Sequence, residues 1–354
     1  MVEESFTIVQ CFWAPIGWRV ESPADEDGGM KPTGQPETAE QIAAAVRALP
    51  GLRAKAPIAL VADVLGGSDW EAGPGDDGAA VAAGDETLIV GGEVMLPAFV
   101  QADPFAAGVA AMLTNVNDLA AMGAEPLALV DTVVASEAIA RKALEGLRRG
   151  SELYRVPVVG GHLTIYDGPP SLSAFGLGRA TPGRVLSVRN AAPGQSLLFA
   201  GCVEGTMRPD FPFFGSFDAR GGELAGDVRT LAAVAADGAA VAAKDVSMAG
   251  ILGSLGMLLE CGGLGVTVDL DALPRPADVG MVQWLGCFPC LAFLLCAPPD
   301  REKDCMAAFH ERGLAAEVIG TLDDSGLLRI AAGGASATVL DVRNEPVTGL
   351  PPAP

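Results

Sequence analysis

The stretch NVNDLAAMGAEP, residues 115–126, decides how the chain is read, because it closes one element and opens the next. Upstream of it, Asp103 can cap a helix and Pro104 suits the first helical position. Phe105, Val109, Met112, Val116 and Leu119 then follow at alternating steps of four and three, which places them on one buried stripe. Gly123 ends the helix in the usual position just past its last turn. Asn115 and Asp118 are three residues apart and so share a face turned away from that stripe. A carboxylate near a helix C-terminus opposes the helix dipole. A bound cation would give Asp118 a reason to be there; an exposed acid tolerated at small cost is the plainer alternative.

Working outward, Leu127–Val134 reads as a strand and Ser136 as the cap of a helix ending near Gly150. Val156–Val159 reads as a short buried strand leading into Gly160, Gly161 and His162, and Leu172–Leu177 as another strand. Toward the N-terminus, Leu88–Gly92 is a strand, 66–78 a loop rich in Gly and Asp, and Thr38–Leu49 a helix. Phe6–Val9 suggests a strand and 21–35 a Pro- and Gly-rich linker. A boundary falls near Pro182–Pro193. Beyond it come a strand at Ser196–Ala200, a helix at Asp227–Ala236, a helix capped by Ser247, and strands at Val266–Leu270 and Cys290–Cys296. A helix at Asp300–Arg312 and a strand at Ala316–Gly320 complete a βαβ unit of the kind found in ferredoxin-like halves.

At 354 residues the chain favours two domains. Half its residues are apolar and 5% are aromatic, so its cores are built from small and aliphatic side chains. A net charge of −21 without a Lys/Arg stripe excludes nucleic-acid binding. The N-terminal MVEESFTIVQ lacks signal-peptide character, and no run approaches the ~18 apolar residues that span a bilayer. Seven cysteines without regular spacing suggest reduced thiols and a cytoplasmic location. An anionic protein that binds an anionic ligand needs local positive potential, and metal ions held by acids are the simplest source.

Several short motifs could supply such a site. GPGDDGAAV (residues 73–81) puts Asp76 and Asp77 after Gly75 in a turn where both carboxylates can converge on a cation, although Asp and Gly are also ordinary turn residues. Glu93 follows the LIVGG strand, and Asp131 sits in the apolar strand LALVDTVV as a supporting or merely buried acid. In VVGGHLT, Gly160 and Gly161 would let backbone approach a ligand beside His162, one of two histidines. KDVSMAG gathers Lys244, Asp245 and Ser247 at a helix start, where phosphate is favoured. Cys287-x-x-Cys290 has redox or zinc spacing but no second pair, so incidental core cysteines are the simpler reading. No P-loop, dinucleotide fingerprint or nucleophile elbow is present.

In this order the motifs resemble those of the superfamily that contains AIR synthetase (PurM-like), thiamine-monophosphate kinase, selenophosphate synthetase and the hydrogenase-maturation dehydratase, over about residues 70–345. The resemblance implies an α/β (α+β) fold: an N-terminal extension and first helix (1–55), a PurM-like N-terminal ATP-binding domain (56–182) whose β-sheet pairs with a second subunit, a ferredoxin-like C-terminal sandwich (183–345), and a tail (346–354). It also implies a homodimer, ATP in the cleft, and Mg2+ on carboxylates. Carried over by position, Asp76, Asp77, Glu93, Asp118 and Asp245 are metal ligands. Gly75, Asn115, Gly160 and Gly161 join Asp76, Asp77 and Asp118 around the nucleotide. His162, Asp245 and Lys244 are the candidates for acceptor chemistry and phosphate contact.

The chain departs from individual members. Met248 replaces the second Asp of the kinase's DxSDG, GGHLTIYDG replaces the synthetase's GGETAEMP, and the terminal GLPPAP lacks the dehydratase's cysteine. The expectation is ATP- and Mg2+-dependent phosphoryl transfer to, or activation of, an oxygen of a small molecule, with no nucleic-acid or membrane partner. The alternatives are a nucleotide-binding accessory protein without turnover and thiol redox chemistry through CFPC.

Overall fold

The computed structural model describes residues 37–65, 75–209 and 211–350. The expected strand at Phe6–Val9, the 21–35 linker and most of the 66–78 loop lie outside them. Helix α1 (Ala39–Arg47) starts at Thr38, whose hydroxyl accepts from Gln41 N while Gln41 Oε1 accepts from Thr38 N. This reciprocal capping box satisfies donors that a helix start leaves open. Two short helices follow, α2 (Pro50–Arg53) and α3 (Ala59–Leu65).

A five-stranded sheet comes next. Strands β1 (Ala79–Ala83) and β2 (Glu86–Met95) form a hairpin. The short α4 (Pro97–Ala102) leads into α5 (Pro104–Ala121), where Asp103 Oδ1 accepts from Ala106 N as the cap residue should. Strand β3 (Ala124–Ala135), helix α6 (Glu137–Tyr154), β4 (Val158–Ile165) and β5 (Ser171–Ala180) complete the order β1-β2-β5-β3-β4. Helix α6 runs four residues past the expected stop, because Arg155 rather than Gly150 takes the left-handed closing conformation. Strand β4 is not the buried strand its apolar sequence suggested. It pairs only with β3, lies at the sheet edge, and is exposed along almost its whole length.

Past residue 181 the chain builds a seven-stranded sheet, ordered β15-β14-β10-β13-β6-β12-β9. Its strands are β6 (Ser196–Gly201), β9 (Ala242–Asp245), β10 (Gly265–Asp269), β12 (Ala292–Ala297), β13 (Ala315–Asp323), β14 (Leu327–Ala332) and β15 (Ala335–Asp341). Three short strands, β7 (Thr206–Met207), β8 (Phe213–Gly215) and β11 (Phe288–Pro289), pair beside it. Strands β12 and β13 both run antiparallel to β6, which separates them, so the βαβ unit through α11 (Glu302–His310) crosses over one strand. Along β6 the faces alternate: Leu198 and Ala200 join the core under α8 (Leu224–Asp237), and Leu197 and Phe199 join the core under α9 (Gly250–Glu260). Two further short helices are α7 (Phe217–Arg220) and α10 (Met281–Gly286). The described cysteines are free and buried, and burial pushes the Cys287 and Cys290 thiols up to about 12, which leaves CFPC without reactive thiolate. Among the described residues no helix is long and apolar enough to cross a membrane.

The helix pair α5–α6 covers the inner face of the first sheet and brings backbone to backbone. A Cβ on Gly108 would sit 2.0 Å from Ala143 O, and one on Gly146 2.0 Å from Phe105 O. The obstruction is main chain, which cannot swing aside. Gly108→Ala should therefore lower the unfolding free energy by about 3 kcal/mol, read as a shift in the urea midpoint at unchanged slope. An unshifted midpoint would show that the helices do not pack this closely.

Candidate functional site

The C-terminal half of α5, the turn before β1, strand β2 and the end of β9 meet at one cleft, whose free space including its open mouth is about 790 Å³. Gly75, Asp76, Asp77, Glu93, Thr114, Asp118, Lys244, Asp245 and Met248 line it. The two sheets thus contribute to the same site. Strand β9, absent from the sequence reading, ends at Asp245, and its Lys244 and Asp245 are paired with Leu294 and Phe293 of β12. Helix α9 begins only at Gly250, and Ser247 does not cap it: the helix start, Ala249, has no side-chain cap. The phosphate-attracting helix start expected at Lys244 is therefore a strand end.

Asp77, Asp118 and Asp245 each offer a ligand oxygen, and these lie within 4.8 Å of one another. Asp118 is 8% exposed and Asp245 3%, so neither is dispersed by bulk water. Lys244 Nζ donates to Asp77 Oδ1 in a buried ion pair, and Asp245 N donates to Asp77 Oδ2 at 3.0 Å. Burial opposes the charge on Lys244, but the carboxylates of Asp77, Asp245 and Asp118 outweigh it and hold its pKa above the usual value. Burial, reinforced by Asp77, raises Asp245 to about 7. Burial, then Asp245, Asp77 and Glu93, raises Asp118 well above the usual carboxylate range. Glu93 is raised by burial as well, against the pull of Lys55.

The adjacent Asp76 and Asp77 do not converge. Asp76 turns to the segment after β5, where Ser187 Oγ and Val188 N each donate to it at 2.7 Å. Burial still carries it up to about 6. Asn115 does not reach the cleft. It is fully buried against Gly176 of β5 and its amide donates to Ala111 O, so Thr114, four residues before Asp118, is the one that shares its face.

His162, Gly160 and Gly161 also lie away from the cleft. They sit on β4, three strand spacings or roughly 14 Å from β2. His162 shares a row with Thr132, Ser173 and Val94 on the sheet's outer face. Gly161 has a structural reason, since a Cβ there would meet Asp131 Oδ1 at 2.6 Å. Asp131 is the buried acid of the two readings: it lies outside the cleft lining, and burial raises its pKa. Phe213 stands behind Phe288, a cleft-lining ring, edge-on at 5.5 Å. Lys55, Thr114, Phe288 and Thr348 line the cleft unforeseen by the sequence reading. For Lys55 the available signal was the scarcity of cations in an acidic chain.

Residues 75–180 match the N-terminal domain of AIR synthase related protein, and residues 223–332 match its C-terminal domain. The chain belongs to the AIR synthase-related family. An uncharacterised protein of Synechocystis is 34% identical over 279 residues, covering 78% of this chain and 86% of the relative. Thermotoga maritima PurL complexed with ATP is similar in fold, with a TM-score of 0.63 at 18% identity over 78% of this chain and 46% of that one. AaThiL complexed with AMPPCP and TMP has a TM-score of 0.60 at 17% identity over 79% of this chain and 95% of that one.

Asp76, at about 6, and Asp245, at about 7, bind protons more tightly folded than unfolded. Their contribution to stability is full below about pH 4 and is lost as pH rises through about 6 to 7. In EDTA the melting temperature should therefore fall between about pH 5 and 8, and Asp245→Asn should flatten that fall. A melting temperature that rises over the same range in EDTA would contradict the buried acids.

Proposed function

We propose that this cleft binds ATP with Mg2+ and passes the terminal phosphoryl group to an oxygen of a small molecule. The observation that carries the reading is the set of three mutually close carboxylates, Asp77, Asp118 and Asp245, with Glu93 and Asp76 on the same cleft. Two lysines there, Lys55 and Lys244, leave the acids undercompensated. An all-oxygen donor set suits a hard divalent ion rather than zinc or copper. Family membership and the nucleotides in the PurL and AaThiL structures support the same choice.

When bound, the metal would neutralise phosphate charge. Asp77, Asp118 and Asp245 would hold it, with Glu93 beside them. Lys244 holds Asp77 in place through their ion pair. Asp245, which faces the cleft, would use the carboxylate lone pair left free by the metal to take the proton of an incoming hydroxyl. That oxygen then bonds to the terminal phosphorus as the bond to ADP breaks. Met248 lines the cleft where the thiamine-phosphate kinase motif has its second Asp, so the acceptor pocket differs there. The apolar side chains Val90, Val94, Val130, Phe175 and Leu177 stand exposed on the outer face of the first sheet. Such an apolar face suits pairing with the same face of a second copy. His162 lies on that face, so any role in acceptor chemistry would be exercised across the pair.

Mg2+ with ATP should raise the melting temperature more than Mg2+ alone, and ADP should appear once a suitable acceptor is added. Asp118→Asn should weaken Mg2+-dependent ATP binding by roughly 100-fold, since even residues that only support a ligand contribute about 10- to 100-fold. Stabilisation by ATP without ADP from any acceptor would favour the accessory role, and no stabilisation at all would sink the proposal. Light scattering should give a dimer mass, and Val94→Glu a monomer.

A further inference from the structure

Two segments far apart in the chain form one wall of the cleft. Residues 50–58 lie against the loop after β9, where a Cβ on Gly51 would sit 2.4 Å from Met248 O. Residues 347–350 are fastened to Glu260, the last residue of α9. Val347 N donates to Glu260 Oε2 at 2.6 Å, Thr348 N donates to both oxygens at 3.3 Å, and Thr348 Oγ1 donates to Oε1. Leu350 N donates to Thr348 Oγ1 at 3.2 Å, which curls the tail. The two segments are joined by Ala59 N donating to Thr348 O at 3.1 Å. Gly349 takes the left-handed φ of +66°, and a Cβ there would press on Ala59 Cβ at 3.1 Å. Ile58, Thr348 and Leu350 line the cleft, and so does Lys55.

Lys244 and Lys55 differ in what they can do. Lys244 is buried and its charge is already matched by Asp77. Lys55 is half-buried, lines the cleft, and forms no ion pair with a carboxylate of the described residues. Its side chain lines the same cleft as Glu93 and Asp245.

We infer that Lys55 is the cleft's anion-contacting cation, held by the Glu260–Thr348 fastening so that its ammonium meets the polyphosphate of the incoming ligand. This rests on the phosphate-binding reading above. An ammonium at that place has two opposite effects. It repels a bare divalent ion from the acids, and it attracts the same ion once the ion carries a polyphosphate.

Calorimetry on the full chain and on Lys55→Met, with Mn2+ alone and with Mn2+ plus inorganic tripolyphosphate or ATP, reads both effects. Lys55→Met should bind Mn2+ alone no more weakly than the unaltered chain. It should bind the Mn2+–tripolyphosphate complex about tenfold more weakly, as expected for one charge-assisted contact, and Lys55→Arg should recover most of that loss. Equal weakening of both ligands would show that Lys55 only supports the wall and would overturn the inference. Unchanged tripolyphosphate and ATP binding would overturn it too. If the unaltered chain binds tripolyphosphate but not ATP, the nucleotide reading falls while Lys55 keeps its role. If it binds neither, both fall.

Discussion

The buried ion pair between Lys244 and Asp77 is the contact on which the cleft depends. Asp77 belongs to the turn that opens the first sheet, and Lys244 to the strand that edges the second. Their pairing, with Asp245 N donating to the same carboxylate, joins two parts of the chain 167 residues apart. Removing ions from water is costly, and a buried pair repays that cost only with good geometry and further hydrogen bonds. Here the backbone donor supplies the second bond. The pair therefore fixes the relative position of the acids more than it adds stability.

Electrostatics then sets the character of the site. One lysine cannot neutralise the acids that share its burial, so Asp118, Glu93 and Asp245 are driven toward their protonated forms. Such a cluster is tense without a cation and relaxed with one. In the proposed function, an acidic chain of net charge −21 would present positive potential to a phosphate where a metal and a lysine cooperate. The outer sheet face shows the opposite design, with valines and phenylalanine exposed on a surface that the described residues do not cover.

Helices α1 and α5 and the strands β3, β5, β6 and β12 were legible from the chain because their signals are local. A cap residue, a stripe at steps of three and four, or an apolar run bounded by turns is complete within a dozen residues. The candidate acids Asp77, Glu93, Asp118 and Asp245 were legible for a related reason: carboxylates beside glycines, or in otherwise apolar elements, need a compensating partner. Strands β9, β14 and β15 were missed because short strands stabilised by their neighbours carry little periodicity of their own. Asn115 was misplaced because a spacing of three on a helix leaves a turn of uncertainty that only packing against Gly176 resolves.

The amino-acid sequence by itself determined the helices and strands whose signals are local, which residues carry charge, and that acids recur at element ends. Only the tertiary structure decided which acids share a cation-sized space, that Asp76 turns to Ser187 while Asp77 turns to Lys244, that His162 faces outward, and that Lys55 joins the cleft. The physical reason is range. Capping and periodicity are fixed by neighbours along the chain, whereas burial and Coulomb interactions depend on distances that exist only once both sheets have come together.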